Sequence, residues 1–418
     1  MKYLILLPLF TLVSFSSNAQ LEIDRIERQL LDKKDSIGIS DYKWFVNLSG
    51  DFNTNSNSIS NSFINALAYQ RTFIDEQLKD NESRRLKKNN RFGLDANASL
   101  QGEFKGEKMS VLFGFGQRVF AAAKFPSDLF ETVFRGNSNY AGETLNFSKT
   151  NFRYFDYQNY FLGLKKELKG GNLIVGGTAA YLRGGRFQSF EMNNTTFYTE
   201  PLGQYITLDG DLNYTRNDKD SKKKSHGNGA SINLFLSFKQ KMNRINFEVR
   251  DIGFMRWSEL KKYEGNSTFT YNGLFISDVL NANSSILNSF TLDSIAAATG
   301  INISKGSTTT MLLPITFHAN YCMMPNKKFT RTIGLKYIAA PGYIPKVYLR
   351  ETDFLGYGFS LVNTFSYGGF GRLDYELGLM KKIKNSCIIS LNLFAFEYLV
   401  LPQKSSGNGV NIGVIALF

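Results

Sequence analysis

His226 and His318 are the only histidines in the 418-residue chain. Hydrolysis by an activated nucleophile usually asks a histidine to take the proton. His226 follows Lys222, Lys223 and Lys224 in a glycine-containing connection, a poor place to hold a base rigid. His318 shares a strand face with Asn320 and Cys322, and no serine occupies the neighbouring position that a hydrolytic pair needs. The spacing predicts a satisfied histidine and no catalytic residue. Cys322 and Cys387 are the only cysteines, and they make no Cys/His metal spacing. Both read as packing residues. A disulfide is allowed in an oxidising compartment but is not indicated. No metal or cofactor is expected.

The remaining polar chemistry is a set of charges: Arg91, Asp95, Glu103, Arg118, Asp209, Asp211, Glu248, Arg250, Asp251, Arg372, Asp374 and Glu376. Their signs are mixed. They suit a cross-strand ion-pair network that stiffens a wall, or a polar path for a ligand, and a wide lumen holds both.

The elements that must position these charges are strands. In 91–104, Phe92, Leu94, Ala96, Ala98, Leu100 and Phe104 alternate with Arg91, Asp95, Asn97, Ser99, Gln101 and Glu103. Successive side chains of a strand point to opposite faces. Segments 205–215, 230–239 and 370–379 repeat the pattern, as in Leu373, Tyr375 and Leu377 opposite Arg372, Asp374 and Glu376. Lipid accepts the first set outside; water and neighbouring charges accept the second inside. A half-buried soluble sheet gives the same alternation once. Its repetition along the chain, with a polar face that is often charged, favours a barrel. The last strand, 410–418, places Val410, Ile412, Val414, Ala416 and Phe418 on one face. An aromatic last residue is the usual signal read by the outer-membrane barrel-assembly machinery. This strand is expected to close the barrel on an early partner near 44–52 or 63–74.

The start of the chain agrees with export. Lys2, the apolar run 3–15 and Ser17-Asn18-Ala19 read as a signal peptide over 1–19. The run falls short of the roughly 20 residues that a spanning helix needs. Residues 20–41 have a helical period (Leu21, Ile23, Ile26, Leu30, Leu31) and form either a periplasmic helix or a plug segment in the barrel mouth. The barrel occupies 42–418. Mean hydropathy is −0.22, which hides a barrel because each strand is only half apolar. The 37 Phe and 21 Tyr fit strands and interfacial girdles. A net charge of +13 is best read as basic turns in water or near the phosphates of outer-membrane lipid and lipopolysaccharide. No aromatic-interleaved basic patch supports nucleic acid as a partner.

The fold expected is all-β, a transmembrane antiparallel barrel of about 14 strands, with 12 to 16 defensible. Short turns fall at 105–108 and 169–172. Longer polar connections fall at 54–62, 75–90, 187–203, 217–228 and, longest, 258–310. No fixed repeat and no second domain are evident. One segment, 126–136, is helical instead. Ser127 is the expected cap, Asp128 suits the first turn and Gly136 the end. Its apolar side, Leu129, Phe130, Val133 and Phe134, serves either a surface helix or a small gate or plug.

Phe134-Arg135-Gly136-Asn137 with Gly142, then Asp251-Ile252-Gly253-Phe254-Met255-Arg256-Trp257, then Leu313-Pro314, resemble an uncharacterised Bacteroidota family of outer-membrane barrels. It is known as a domain of unknown function, number five-seven-two-three. The resemblance covers most of the mature chain, and the Asp251 stretch is its most specific part. It implies an architecture similar to the long-chain fatty acid channel family and no established activity. No binding residue is carried over.

The Asp251 stretch also reads physically. Ile245, Phe247 and Val249 share a face, and Ile252 and Phe254 are out of step with them by one residue. Such a slip is what a β-bulge or an irregular strand produces. A bulge would send Asp251 into the lumen after Arg250 and place Trp257 near the rim. The function expected is a passive channel for small hydrophobic or amphipathic molecules. The alternative is a non-transporting structural or assembly partner of surface machinery.

Overall fold

The structure, a computed structural model, describes residues 42–67, 74–168, 170–218, 225–272, 301–323, 328–383, 386–399, 401 and 404–418. Residues 1–19, expected to be a signal peptide, and the segment 20–41 lie outside them. In chain order the strands are β1 (Trp44–Ser56), β2 (Asn90–Lys105), β3 (Ser110–Phe125), β4 (Thr144–Asn146), β5 (Thr150–Leu168) and β6 (Leu173–Thr199). They continue as β7 (Ile206–Asn217), β8 (Gly227–Gln240), β9 (Asn243–Tyr271), β10 (Asn302–Leu312), β11 (Thr316–Met323) and β12 (Phe329–Ile338). The last are β13 (Ile344–Gly356), β14 (Phe359–Gly369), β15 (Leu373–Ile383), β16 (Cys387–Phe394) and β17 (Gly407–Leu417). Among the described residues three α-helices, α1 (Asn61–Asn65), α2 (Glu76–Arg85) and α3 (Ser127–Arg135), lie between strands at one end. No described helix is long and apolar enough to cross a membrane, which says nothing of the strands.

All pairings are antiparallel, and β17 pairs with β1 from Phe45↔Leu417 to Asn55↔Gly407. The sheet is thereby closed and presents no edge along that seam. Of the two expected early partners, β1 is the one used; Phe63 lies instead on α1. β7 and β8 both lie between β6 and β9, so they are two halves of one stave. β10 and β11 share the other side of β9 in the same way. With β4 a three-residue annex on the far end of β6, the barrel has 14 staves.

Tight turns gather at one end. Between β13 and β14 the two-residue turn is Tyr357-Gly358, with φ of 49° and 77°; positive φ at both positions matches the twist of the flanking strands. The opposite end carries the helices and the longer connections. Its wall is uneven in height: β6 and β9 have 27 and 29 residues, whereas β12 and β16 have 10 and 8.

Several expected connections are therefore strand or helix. Residues 187–199 of the 187–203 segment are the upper half of β6, and 258–271 and 302–310 belong to β9 and β10; residues 273–300 lie outside the described ones. These upper halves stand above the short side of the wall, so little apolar alternation marks them as strand. The 75–90 segment holds α2, which Asp75 caps by accepting from Leu78 N.

The two faces separate as the alternation requires. Leu100, Phe113, Leu162, Leu234, Phe247 and Leu335 are exposed on the outward face, as are Ile412 and Val414 of β17. Asn47, Ser99, Asn246, Asn320, Asn392 and Asn411 are buried on the inward face. A groove of about 600 Å³ between Leu100, Phe113, Tyr160 and Leu162 opens on the outward face, away from the charged interior. Cys322 and Cys387 form no disulfide with each other.

Candidate functional site

The interior is layered. Nearest the turn end, Glu103 on β2 meets Lys165 on β5 at 2.6 Å, with both side chains buried. Phe45, Ile388 and Ile415 pack beside Tyr42 at the same level. Next come amides and hydroxyls, such as Asn246 Nδ2 donating to Asn320 Oδ1 at 2.8 Å and Asn392 Nδ2 to Asn411 Oδ1 at 2.9 Å.

A belt of charge follows. Arg118 on β3 donates to both carboxylate oxygens of Asp95 on β2, at 2.9 Å each, and to Asp251 Oδ2 on β9 at 2.6 Å. Glu248 lies 3.7 Å from Arg250. His318 Nε2 is 2.8 Å from the Tyr348 hydroxyl and its Nδ1 3.9 Å from Glu248. Asp374 accepts from Asn55 at 2.8 Å and pairs with Lys346 at 3.5 Å. Arg350 pairs with Glu376 at 3.4 Å.

The Arg118–Asp251 contact sets the lumen's shape. A circular barrel of 14 staves spaced about 4.8 Å, tilted about 40°, is about 28 Å across. Staves four apart then stand about 20 Å from each other, whereas an extended arginine and aspartate together reach about 10 Å. The wall is therefore far from circular between β3 and β9. The cause is local. Pairing of β8 with β9 slips between Ile232 and Leu234, two residues of β9 standing against Asn233. Asp251 adopts φ 60° there, and its N–H donates to Asn233 Oδ1 at 2.8 Å. A bulge bends its strand, and this one carries Asp251 to Arg118.

Above the belt the lumen is apolar. Phe120, Phe155, Leu182, Met255, Trp257 and Leu313 form one buried cluster with Ile338 and Phe370. Trp257 is not at the rim: it is fully buried and stacks on Phe187 at 5.2 Å. A Cβ on Gly184 would come within 2.5 Å of its ring, and one on Gly227 within 2.7 Å. These glycines let an indole lie against the inner wall. Phe370, from the β14–β15 connection, meets Phe120 at 6.4 Å and Tyr343 at 5.0 Å. Arg91 holds it by donating to the carbonyls of Phe370 and Gly371 at 2.9 and 2.6 Å.

Beside this cluster the wall is interrupted on four successive staves. β6 inserts an extra residue opposite Phe155 to Tyr157 of β5, β7 gives way to β8, β9 bulges at Asp251, and Leu313-Pro314 separates β10 from β11. Ser225 Oγ and His226 N both donate to Gly184 O, at 3.0 Å each, closing the second of these breaks.

α3 belongs to a separate cap over β1–β3. Phe130 and Phe134 pack on Phe63 of α1 at 5.2 and 4.8 Å. Leu129 packs towards Leu145 and Met192, and Val133 is 64% exposed. Ser127 is not the cap. Pro126 is the N-cap residue, without a side-chain bond, and Asp128 Oδ2 accepts from Asn146 N. Arg135 ties α3 to Asp80 of α2 at 2.5 Å. Within the cap, Glu82 is buried and accepts from Ser60 N at 2.9 Å and from the Ser60 hydroxyl. Burial pushes its carboxyl above the usual range.

Three residues expected in the lumen stand elsewhere. Arg372 is exposed in the β14–β15 connection, one residue before β15 begins. Asp209 and Asp211 lie on β7, above the short side of the wall, where Asp209 is exposed and accepts from Thr268. Sequence reasoning missed Lys336, Lys346, Tyr348 and Arg350. Lys336 faces the lumen within electrostatic reach of Arg250, Asp95 and Asp51. Its alternation opposite Ile333, Leu335 and Tyr337 was the available signal. Phe120 and Phe155 were missed because they share a face with Arg118 and Tyr157, where polar residues were expected.

No curated protein matches the chain. Its backbone is similar to the toluene transporter TbuX of Ralstonia pickettii, at 9% identity over 93% of each chain and a TM-score of 0.46. It is also similar to the toluene transporter TodX of P. putida (8%, 90% of each chain, 0.44) and to a FadL homologue of Pseudomonas aeruginosa (10%, 90% of each chain, 0.44). The model of a family of unknown function, DUF5723, matches residues 38–341. That span contains the Phe134, Asp251 and Leu313 motifs, and the chain belongs to this family.

Proposed function

We propose that the barrel spans the bacterial outer membrane and lets small hydrophobic or amphipathic molecules cross it passively. The observation that carries the reading is the apolar luminal cluster around Phe120, Trp257 and Phe370, set directly against the interrupted wall. A solute with about 150 Å² of apolar surface gains about 4 kcal/mol on leaving water for such an apolar lining. That is enough to concentrate it and little enough to release it. The charge belt below offers an apolar solute no favourable path, because separating Arg118 from Asp95 and Asp251 costs several kcal/mol. A sideways exit beside the cluster would require the bonds of Ser225 and His226 to Gly184 O to open.

A second reading, a non-transporting structural or assembly partner in the outer membrane, is favoured by the same belt, since Arg118 bridges β2, β3 and β9. Proteoliposomes separate the two. The channel reading expects uptake of a hydrophobic solute well above protein-free vesicles. Absence of flux for both apolar and hydrophilic solutes favours the closed structural barrel.

A further inference from the structure

Arg256 is the one charged member of the Asp251–Trp257 motif that the lumen does not use. Met255 and Trp257 point inward and are fully buried, so Arg256 between them points outward, where it is exposed. The pairing places it directly opposite Asn228 of β8, and Asn228 directly opposite Arg183 of β6. Residues opposite one another in a sheet share a face. Arg183, Asn228 and Arg256 thus form one exposed outward row across three staves, with the guanidinium-bearing positions about 10 Å apart. Thr310 of β10 continues the row beyond Arg256, and Tyr181 donates to Asn228 Oδ1 at 2.6 Å from just below it.

The height of the row is informative. On the turn side of it, the outward residues of the same staves are Tyr181, Ile232, Leu234, Phe254 and Leu312, all exposed and apolar or aromatic. On the loop side the outward face turns polar, with Arg186 paired to Asp156 at 2.9 Å. Arg183 stands ten residues along β6 from Leu173, which at a tilt of about 40° is about 25 Å. The apolar band of an outer-membrane barrel is about 25 Å tall. The row therefore sits where hydrocarbon gives way to headgroups, at the loop end.

We propose that Arg183 and Arg256, with Asn228 between them, bind the phosphate of a phosphorylated outer-leaflet glycolipid of the lipid A type. Guanidinium groups match phosphate with two parallel charge-assisted hydrogen bonds. The aromatic and aliphatic residues immediately below receive the acyl chains, and the Asn228 amide remains free to donate to the sugar. The site lies on the outer surface of the interrupted wall, so the lipid covers the break between β7 and β8 from outside. The proposal rests on the membrane reading above, and its test separates the two.

The full-length protein is extracted from membranes, and lipid A retained per barrel is measured by native mass spectrometry, with heat-modifiable migration reporting folding. Wild type is expected to retain phosphorylated lipid A over its dephosphorylated form, and millimolar inorganic phosphate is expected not to displace it. Arg183→Gln with Arg256→Gln lowers retention about tenfold, each single variant less, and Lys at both positions restores part of it. Arg331→Ala, an outward arginine at the turn end paired with Glu351, leaves it unchanged. Equal retention by the folded glutamine variants, or equal retention of dephosphorylated lipid, overturns the phosphate site while leaving the membrane reading intact. Displacement by inorganic phosphate overturns the lipid as the source. Failure of wild type to fractionate with the outer membrane overturns both.

Discussion

Arg118 and Asp251 sit on staves four apart and meet at 2.6 Å inside the barrel. The contact exists because a one-residue bulge brings β9 inward and holds Asp251 at φ 60°. Three things are joined at one point: a backbone irregularity, the charge belt and the floor of the apolar cluster, since Tyr157 of that cluster approaches Asp251 at 3.5 Å.

Substitutions at Asp251 separate its charge from its backbone. Asp251→Asn tolerates the left-handed conformation but removes the charge, leaving Arg118 with Asp95 alone. It is expected to cost about 2–4 kcal/mol. Asp251→Ala loses about 1 kcal/mol more, because alanine is penalised at positive φ. Urea unfolding in lipid vesicles measures both. Equal stability of the two variants would show that the backbone conformation contributes nothing.

The bulge was legible because Ile252 and Phe254 break step with Val249 while remaining apolar, so the phase of the pattern carried the information. The charge of the belt was legible in the same way, from parity along 91–104 and 370–379. What parity does not encode is height. Asp209 follows the same alternation as Asp95, yet it stands on the tall part of the wall beyond the short side. The luminal apolar cluster escaped for a related reason: aromatic residues on the polar face look like noise until Phe120, Phe155 and Phe370 arrive from three separate parts of the chain. The division of one stave into β7 and β8 was equally hidden, since a polar connection within a stave reads like a hairpin loop.

Trp257 offers a spectroscopic handle on the cluster. The chain has only two tryptophans, and Trp44 is on the outward face. In Trp44→Phe the remaining emission comes from a fully buried indole and is expected to be blue-shifted. Gly184→Ala, whose Cβ would lie 2.5 Å from that ring, is expected to destabilise by about 1–3 kcal/mol and to shift the emission red. If the cluster takes up hydrophobic solutes, a brominated hydrocarbon quenches Trp257 in vesicles. Quenching no greater than that of a soluble bromide control would argue against an accessible chamber.

Glu82 makes the cap sensitive to pH in a defined direction. Its folded pKa is raised by burial, so its contribution to cap stability is fully present below the unfolded carboxylate value and is lost as pH rises through the folded value. The cap is expected to loosen as pH rises across that window, and Glu82→Gln, which keeps a partner for Ser60, flattens the dependence. Hydrogen exchange of residues 57–67, corrected for the intrinsic rate, reads it out. An unchanged pH profile in the glutamine variant would assign the sensitivity to another group, with Arg85, Asp80, Glu131 and Arg135 the charged neighbours to test next.

The cap helix distinguishes packing from gating. Phe130 and Phe134 bury against Phe63, whereas Val133 on the same helix is 64% exposed. Phe130→Ala is expected to cost the cap about 3–5 kcal/mol, and Val133→Ala less than about 0.5 kcal/mol, both followed by exchange of the α1 and α3 amides. The barrel itself should be unaffected, because the cap and luminal clusters have no residue in common. If α3 gates the mouth, Phe130→Ala raises solute uptake in proteoliposomes while the unfolding midpoint of the strands holds constant. Loosened helices with unchanged uptake would reduce the cap to a surface ornament of β1–β3 and leave the wall beside Trp257 as the point of control.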